Sequence, residues 1–151
     1  MLKRLMKTQP DASALLIRLG LGVVMFPHGA QKALGIFGGQ GFTGTLDVFE
    51  KNFGMPTAIT VLVIAAEFLG SIGLVLGFLS RVAALGIAAV MVGAIQMVHL
   101  KNGFFMNWYN VQGQGQGFEF HILVIAMALA VMIKGSGAFS FDRAFTKKAD
   151  H

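Results

Sequence analysis

The sequence contains no cysteine, and this absence excludes several kinds of chemistry at once. Without a thiol the chain forms no disulfide, offers no thiolate nucleophile and supplies no cysteine ligand for a metal cluster or for covalently attached haem. It also has no glycine-rich turn in a strand-to-helix context, which is the usual signature of a nucleotide or flavin site. Any thiol chemistry in which the protein takes part must therefore come from another protein.

Charged residues are scarce as well. They make up 13% of the 151 residues, whereas 55% are hydrophobic, and a soluble domain of this size usually has about 25% charged residues. Several apolar runs approach the roughly 20 residues that a helix needs to cross a bilayer. The composition predicts an integral membrane protein with a single transmembrane domain, residues 1–151.

The few charges that are present are mostly basic, giving a net charge of +5. Basic proteins often bind nucleic acid, but here the Lys and Arg residues stand mainly at the ends of apolar runs. In that position they set topology and contact lipid headgroups. We therefore expect membrane lipid as a partner and no binding of nucleic acid.

Four apolar segments predict an all-α membrane protein in which four transmembrane helices form an antiparallel bundle. The predicted spans cover residues 13–32, 57–79, 82–100 and 118–134, and an amphipathic tail at 138–148 follows. Pro27 should kink or end the first helix. Residues 33–56 and 101–117 are rich in glycine, which predicts long loops, with a possible amphipathic piece at 46–53.

The basic residues also predict the orientation of the bundle. The two long loops carry only Lys32, Lys51 and Lys101, whereas the termini and the turn near residue 80 carry many more: Lys3, Arg4, Lys7, Arg81, Lys134, Arg143, Lys147 and Lys148. Because cytoplasmic segments are enriched in Lys and Arg, the termini should be cytoplasmic and the long loops should face outward.

Glu67 lies near the middle of the second span, where a charge costs on the order of 2.5 kcal/mol or more unless it is paired, protonated or hydrated. One interpretation is structural, with the carboxylate paired to Arg18 or hydrogen-bonded between helices. The other is functional, because a buried carboxylate can exchange protons or contact a substrate. We take Glu67 and His28 as the candidate catalytic residues.

Every predicted span contributes a polar group to the outer half of the bundle, and such groups usually face the bundle interior. Arg18 differs because it lies near the cytoplasmic end. The candidate ligand-binding residues are Arg18, Lys32, Gln96, His99, Trp108, Glu119 and His121. Lys32 can attract a small anion or simply reach the headgroups, and Trp108 can serve a site or anchor a loop at the membrane surface.

Two ligand classes fit these residues. A quinone head needs hydrogen-bond donors, a proton source and an apolar slot, which His28, His99, Glu119 and Trp108 could provide. Copper is the weaker alternative: His28, His99, His121 and Glu119 with Met25, Met97 and Met106 are chemically suitable. No two of them show the helical spacing of a metal-binding pair, so we predict no metal site.

Short motifs along the chain resemble the DoxX family of small four-helix bacterial inner-membrane proteins. They are R-x-x-x-G and H-G-x-x-K in the first span (Arg18, Gly22, His28, Gly29, Lys32), E-x-x-G and L-x-L-G-x-x-x-R in the second (Glu67, Gly70, Leu74, Leu76, Gly77, Arg81), then Gly117 with Glu119, and Gly135, Gly137, Ser140 and Asp142. The resemblance implies a location in the bacterial inner membrane. It also implies association with redox complexes, since relatives include a membrane subunit of thiosulfate:quinone oxidoreductase.

The sequence thus leads to two functional hypotheses. The first is a membrane subunit for redox chemistry at the quinone pool, which binds quinone or a small anionic reductant such as thiosulfate and works with a redox protein partner. The second is a non-enzymatic protein for ligand binding, transport or complex assembly. Small residues on the second and third spans would allow contacts within one bundle or between copies in a homo-oligomer.

Overall fold

A computed structural model describes residues 5–147, and this part of the chain contains helices, turns and loops but no strand. The helices are α1 (Ala12–Leu34), α2 (Gly41–Phe53), α3 (Thr57–Leu76), α4 (Ser80–Ala94), α5 (Glu119–Lys134) and α6 (Phe141–Lys147). A π-helical turn, Ile95–His99, and a 3₁₀ turn, Leu100–Asn102, continue α4. Residue 148 of the predicted tail lies outside the described residues.

Four of these helices pack in a ring in which α1 contacts α3, α3 contacts α4, α4 contacts α5, and α5 returns to α1. Their buried faces share one apolar core, formed by residues such as Leu21, Met25, Leu74, Ile87, Val124 and Val131. Three helical segments of the described chain are long and apolar enough to cross a membrane: Ala12–Leu34, Thr57–Leu76 and Ser80–Asn102. The prediction of an all-helical membrane protein is confirmed at this level.

The first helix continues past Pro27 to Leu34, so the alternative in which this proline ends the helix is wrong. Proline removes only one backbone N–H. Met25, Gly29 and Ala30 are buried on either side of it, so packing holds the chain in the helical path. The helix ends instead at Gly35, which has the left-handed conformation that glycine adopts easily (φ 75°).

The first glycine-rich segment is not a continuous loop, since residues 41–53 form α2. This helix packs against α1 and α3, and its one buried residue, Thr45, donates a hydrogen bond to the main-chain oxygen of Lys32. Tertiary contacts therefore outweigh the low helix propensity of Gly41 and Gly44. The amphipathic piece predicted at 46–53 is the second half of this helix.

A tight turn joins α3 to α4 and places them side by side. Helix α3 ends at Leu76, three residues earlier than predicted, because Gly77 (φ 69°) and Leu79 (φ 48°) both take left-handed conformations. The buried carboxylate of Asp142 accepts hydrogen bonds from the backbone N–H groups of Leu79 and Ser80. These bonds stabilise the start of α4, which therefore begins two residues before the predicted span.

The two ends of the bundle differ in character. We call the end with the start of α1, the α3–α4 turn and the end of α5 the basic end, and the opposite end, with α2 and residues 103–118, the loop end. At the basic end Lys134 contacts the carboxylate of Asp11 at 2.8 Å, and the Ala138 N–H donates to the main-chain oxygen of Asp11. The first and last described segments of the chain therefore lie together at the basic end.

Candidate functional site

A cavity of about 830 Å³ lies at the loop end of the bundle. Its walls are mainly apolar and come from α1, α2, α3, α4, α5 and residues 106–116. The polar side chains that line it are His28, Lys32, Glu67, His99, Gln116 and His121. A cavity of this size with apolar walls and a few convergent polar groups is typical of a small-molecule site.

An ion pair lies in the wall of this cavity. The Lys32 ammonium of α1 contacts the Glu67 carboxylate of α3 at 2.5 Å, and the side chains are 23% and 4% exposed. The same ammonium donates a longer hydrogen bond, 3.4 Å, to the main-chain oxygen of His28. A charge inside an apolar bundle is tolerated when it is paired, so this contact explains why a carboxylate can stand in the middle of α3.

Three histidines face the same space from different elements. The rings of His99 and His121 lie 4.1 Å apart between centroids, and His28 packs against Phe120 at 6.1 Å. Nδ1 of His99 lies 2.8 Å from the main-chain oxygen of Gln116. Because a carbonyl can only accept, Nδ1 of His99 carries the proton, and in the neutral ring Nε2 is left as an acceptor.

His121 is unusual because its Nδ1 is buried and has no hydrogen-bond partner among the described residues. Buried polar atoms are nearly always paired, and an unpaired one costs about 1–3 kcal/mol. The side chain is 7% exposed and belongs to the cavity wall. An unpaired polar atom in a side chain that lines a cavity makes His121 a candidate contact for a ligand.

The π-helical turn at the end of α4 carries part of the site. Met97, Val98 and His99 all line the cavity, although three consecutive residues of a regular α-helix spread over most of its circumference. The wider turn changes the direction of these side chains. Single π-turns inside α-helices occur frequently at functional sites, so this irregularity is consistent with a site at this position.

Comparison of the sequence with known proteins identifies its family. The sequence model of the DoxX family matches residues 13–100, which is more than half of the chain. The chain belongs to the DoxX family. A relative from Bacillus subtilis (strain 168), named "Putative oxidoreductase CatD", is 30% identical over 97 residues, which is 64% of this chain and 67% of the relative. No solved structure matches the chain.

The family match extends through most of the cavity wall of this DoxX protein. His28, Lys32, Glu67 and His99 lie within the matched residues, and His121 lies beyond them. These five candidates from the sequence are the ones that the structure brings together around the cavity.

Arg18 lies elsewhere in the DoxX bundle. It is completely buried near the basic end, where its guanidinium donates hydrogen bonds to main-chain oxygens of Leu74, Val75 and Ser136. The interpretation in which Arg18 pairs with Glu67 is therefore wrong, because Lys32 makes that pair. The geometry gives Arg18 a part in joining α3 to the chain after α5.

Trp108 and Glu119 also lie outside the cavity wall. The Trp108 indole N–H donates to the Glu119 carboxylate at 2.7 Å, and the Met106 N–H donates to the same carboxylate oxygen at 3.1 Å. Glu119 thus ties the long loop to the start of α5. Gln96 is exposed on the π-helical turn and does not line the cavity either.

The structure adds residues that sequence reasoning did not select. Phe49 and Phe53 of α2 line the cavity from the loop end and pack edge to face, with ring centroids 5.6 Å apart. Their spacing of four residues within the amphipathic piece was a usable signal. The sequence gives no such signal for Phe120, Gln116 or Gly93. Only the packing of the helices shows which of their residues face the cavity.

Among the described residues, no three side chains of His, Asp or Glu converge in a way that could hold a metal ion. His99 and His121 are close, but the third histidine packs against Phe120 on another wall. Several methionines, including Met25, Met91, Met97 and Met106, also line the cavity. Their side chains form part of the apolar wall, and their thioether groups are flexible and polarisable.

Proposed function

We propose that this DoxX protein is an integral membrane subunit associated with redox chemistry at the quinone pool, and that its loop-end cavity binds a quinone head group. The observation that carries the proposal is the composition of the cavity. An apolar chamber of about 830 Å³ is lined by an ion pair whose carboxylate is buried and by three imidazoles, and Nδ1 of one imidazole, His121, is buried and unpaired among the described residues. The name of the relative, "Putative oxidoreductase CatD", supports the same class of function.

The residues present fit a quinone head. The head offers two carbonyl oxygens, which need donors such as the Lys32 ammonium and the protonated nitrogen of His121 or His28. Aromatic and methionine side chains would cover the ring faces. A bound quinone would supply electron-carrying chemistry at this site. In this arrangement Glu67 holds Lys32 in position, and the histidines exchange protons with the site.

A small anionic reductant such as thiosulfate receives less support. Lys32 is the one Lys or Arg side chain in the cavity wall among the described residues, and it is already paired with Glu67. An anion would have to break this pair in an apolar chamber, at the cost of leaving the carboxylate unpaired. We therefore propose that a redox protein partner handles any anionic reductant outside this cavity.

We propose further that the bundle has four spans and lies in the bacterial inner membrane with the basic end in the cytoplasm. Helix α5 has 16 residues, which is about 24 Å of helix and short for a 30 Å hydrocarbon core. It packs between α4 and α1, both of which are long enough to span. Arg81, Lys134 and Arg143 at the basic end match the enrichment of cytoplasmic segments in basic residues.

The test is to purify the protein from a quinone-containing bacterial membrane in mild detergent and to quantify bound quinone by mass spectrometry of the lipid extract. We expect wild type to retain quinone, and we expect His28→Ala, Glu67→Gln and His99→Ala to lose most of it while remaining folded. Gln96→Ala is the matched control, because Gln96 lies on the same π-helical turn as His99 but outside the cavity wall.

Wild type that retains no quinone, and also fails to bind added quinone in lipid nanodiscs, would contradict the proposal. Equal retention by wild type and by all three cavity variants would contradict it as well, because the quinone would then be bound elsewhere. Elemental analysis of the same sample tests the copper alternative directly.

A further inference from the structure

Three glycines show how closely α3 and α4 approach each other at different points along their lengths. At Gly70, near the turn, an added Cβ would lie 3.7 Å from the main-chain oxygen of Ala83. At Gly86, further along α4, it would lie 3.2 Å from the Cβ of Ala66. At Gly93, near the loop end, an added Cβ would have no neighbour within 4 Å. The two helices are therefore in contact at Gly70 and Gly86, and a gap lies beside Gly93.

This gap is the mouth of the cavity. Gly86 and Gly93 line the cavity on the α4 side. Ile59 and Leu62 of α3 and Met97 beyond α4 also line it and are 47%, 64% and 42% exposed, so they stand at the rim. Both flanking segments, Thr57–Leu76 and Ser80–Asn102, are long and apolar enough to cross a membrane. If these two segments cross the membrane, a mouth between them opens toward the hydrocarbon of the bilayer.

At the loop end, side chains of α2 and of the long loop border the cavity. Phe49 and Phe53 of α2 form part of the cavity wall at the loop end, and Met106 and Gln116 of the long loop form another part. Gln116 is held there because its side-chain oxygen accepts from the Asn107 N–H and its main-chain oxygen from His99. The loop end of the cavity is thus bordered by bulky side chains, whereas beside Gly93 an added Cβ would meet no neighbour within 4 Å.

We propose that the gap between α3 and α4 is a lateral portal through which the hydrocarbon tail of a membrane-dissolved ligand extends from the cavity into the bilayer. The proposal rests on the proposed function and narrows it, because it assigns the ligand to lipid-soluble amphiphiles such as long-tailed quinones. The polar head lies between Lys32 and the histidines, and the tail passes Gly93, the rim position without a side chain.

The chemistry of the rim favours a hydrocarbon chain as the occupant. Its side chains are apolar, and Gly86, Ala89 and Gly93 leave a shallow channel on α4. The channel is continuous with the chamber that holds the polar groups, so one amphiphilic molecule can satisfy both. Leucine at position 93 would project into the open space and fill it, while the polar end of the cavity would keep its groups.

The experiment compares two ligands with the same head group, tailless ubiquinone and long-tailed ubiquinone, on the protein in lipid nanodiscs. We expect Gly93→Leu to bind the long-tailed quinone at least about tenfold more weakly, which is the scale of blocking an apolar pocket, and to bind the tailless quinone like wild type. Val92→Leu is the matched control, because it adds bulk to the neighbouring residue, which is exposed and outside the cavity wall. Gly93→Ala tests whether the position tolerates a side chain at all.

The outcomes separate the portal from the proposed function. If wild type binds neither quinone, the proposed function fails. If wild type binds both and Gly93→Leu leaves the binding of both unchanged, the portal is wrong and the quinone site stands. If Gly93→Leu weakens both ligands equally while Gly93→Ala does not, the leucine disturbs the head-group site and the portal is again wrong. Selective loss of the long-tailed quinone supports the portal.

Discussion

Arg18 is completely buried, and its guanidinium donates hydrogen bonds to five main-chain oxygens. Two of these oxygens, those of Leu74 and Val75, belong to the end of α3, where Leu74 also accepts from the Gly77 N–H, and three belong to the segment after α5. Helix ends leave their last carbonyl groups without intrahelical partners, and a planar group with five N–H donors suits several of them at once. Arg18 thus joins three elements at the basic end.

We expect Arg18→Met to destabilise the protein strongly, because it leaves buried carbonyl groups without donors. The loss should be about 3 kcal/mol or more, which corresponds to a fall in unfolding temperature on the order of 6–12 °C. The measurement is thermal unfolding in detergent. Lys51→Met, at a position with a 75% exposed side chain, is the control and should change little. Similar unfolding temperatures for the two variants would contradict this role of Arg18.

The ion pair of the cavity shows what the sequence reveals about single residues and what it leaves open. Glu67 could be selected from the sequence because a charge within an apolar span needs a partner. Its partner could not be selected, because Arg18 and Lys32 both lie on the first helix and the choice depends on how far α1 is shifted along α3. The structure settles this choice with a direct contact to Lys32.

A double-mutant cycle tests the pair. Lys32→Met removes the partner of a nearly buried carboxylate, and Glu67→Gln leaves a partly exposed ammonium, so we expect both single variants to be less stable than wild type. The double variant should be more stable than the sum of the two effects, with a coupling free energy on the order of 1–3 kcal/mol. Thermal unfolding of all four proteins in one detergent provides the measurement. Additive effects would show that the contact contributes nothing.

At the level of the helices, glycine has two opposite roles in this protein. Gly29 of α1 is pressed against α3, since an added Cβ would lie 2.5 Å from backbone atoms of Phe68. Gly93 of α4 has open space around it. Small residues that allow close helix packing are expected in membrane bundles. The sequence shows both glycines on apolar helices, but only the packing of the helices distinguishes a contact from a gap.

The same substitution should therefore have opposite effects at these two positions. Gly29→Ala forces α1 away from α3 and should cost about 1–3 kcal/mol, the usual range for overpacking. Gly93→Ala should stabilise α4 by up to about 1 kcal/mol, because alanine is the better helix former and meets no neighbour. The unfolding temperatures of the two variants, measured in one detergent, should fall on opposite sides of the wild-type value. A fall at both positions would mean that the α3–α4 gap is closed in solution.

At the scale of the whole molecule, the positions of the four long helices could be predicted from apolar runs. The presence of α2 and of the π-helical turn could not be predicted in this way. Four helical segments begin and end within a few residues of the predicted spans because hydrophobicity and terminal glycines determine them locally. Helix α2 depends on contacts of Thr45 with α1. The cavity is lined by residues from five helices and the long loop, so it depends on the packing of the whole bundle, which no local pattern shows.

The ring of helices is closed at the basic end by Asp11 and Lys134, and this contact should depend on pH. The Lys134 ammonium, with the Ser13 hydroxyl, holds the pKa of the Asp11 carboxyl well below its usual range. A lowered pKa stabilises the fold above the unfolded value of about 3.9, and this stabilisation is lost as the pH falls below that value. We therefore expect Asp11→Asn to have a lower unfolding temperature than wild type at pH 7. Below pH 4 the difference in unfolding temperature between the two proteins should become smaller.

Thermal unfolding of wild type and Asp11→Asn in detergent between pH 7 and pH 3 gives this comparison. Asp47→Asn is the control, because that carboxylate lies 3.9 Å from Lys51 on an exposed face of α2. The Asp47→Asn substitution should leave the unfolding temperature unchanged between pH 7 and pH 3. A difference between wild type and Asp11→Asn that stays constant down to pH 3 would show that the charge of Asp11 is not responsible.

The orientation of the whole bundle can be measured cleanly because the chain has no cysteine. Tyr109→Cys places a thiol in the long loop at the loop end, where the residue is 94% exposed, and Ala144→Cys places one on exposed α6 at the basic end. With four spans and the basic end in the cytoplasm, a membrane-impermeant maleimide added to intact spheroplasts should label position 109 and leave position 144 unlabelled until the membrane is opened. Wild type, which has no cysteine, is the control for unspecific labelling. Labelling of position 144 alone would mean an inverted bundle, and labelling of both positions would mean that α5 does not cross the membrane.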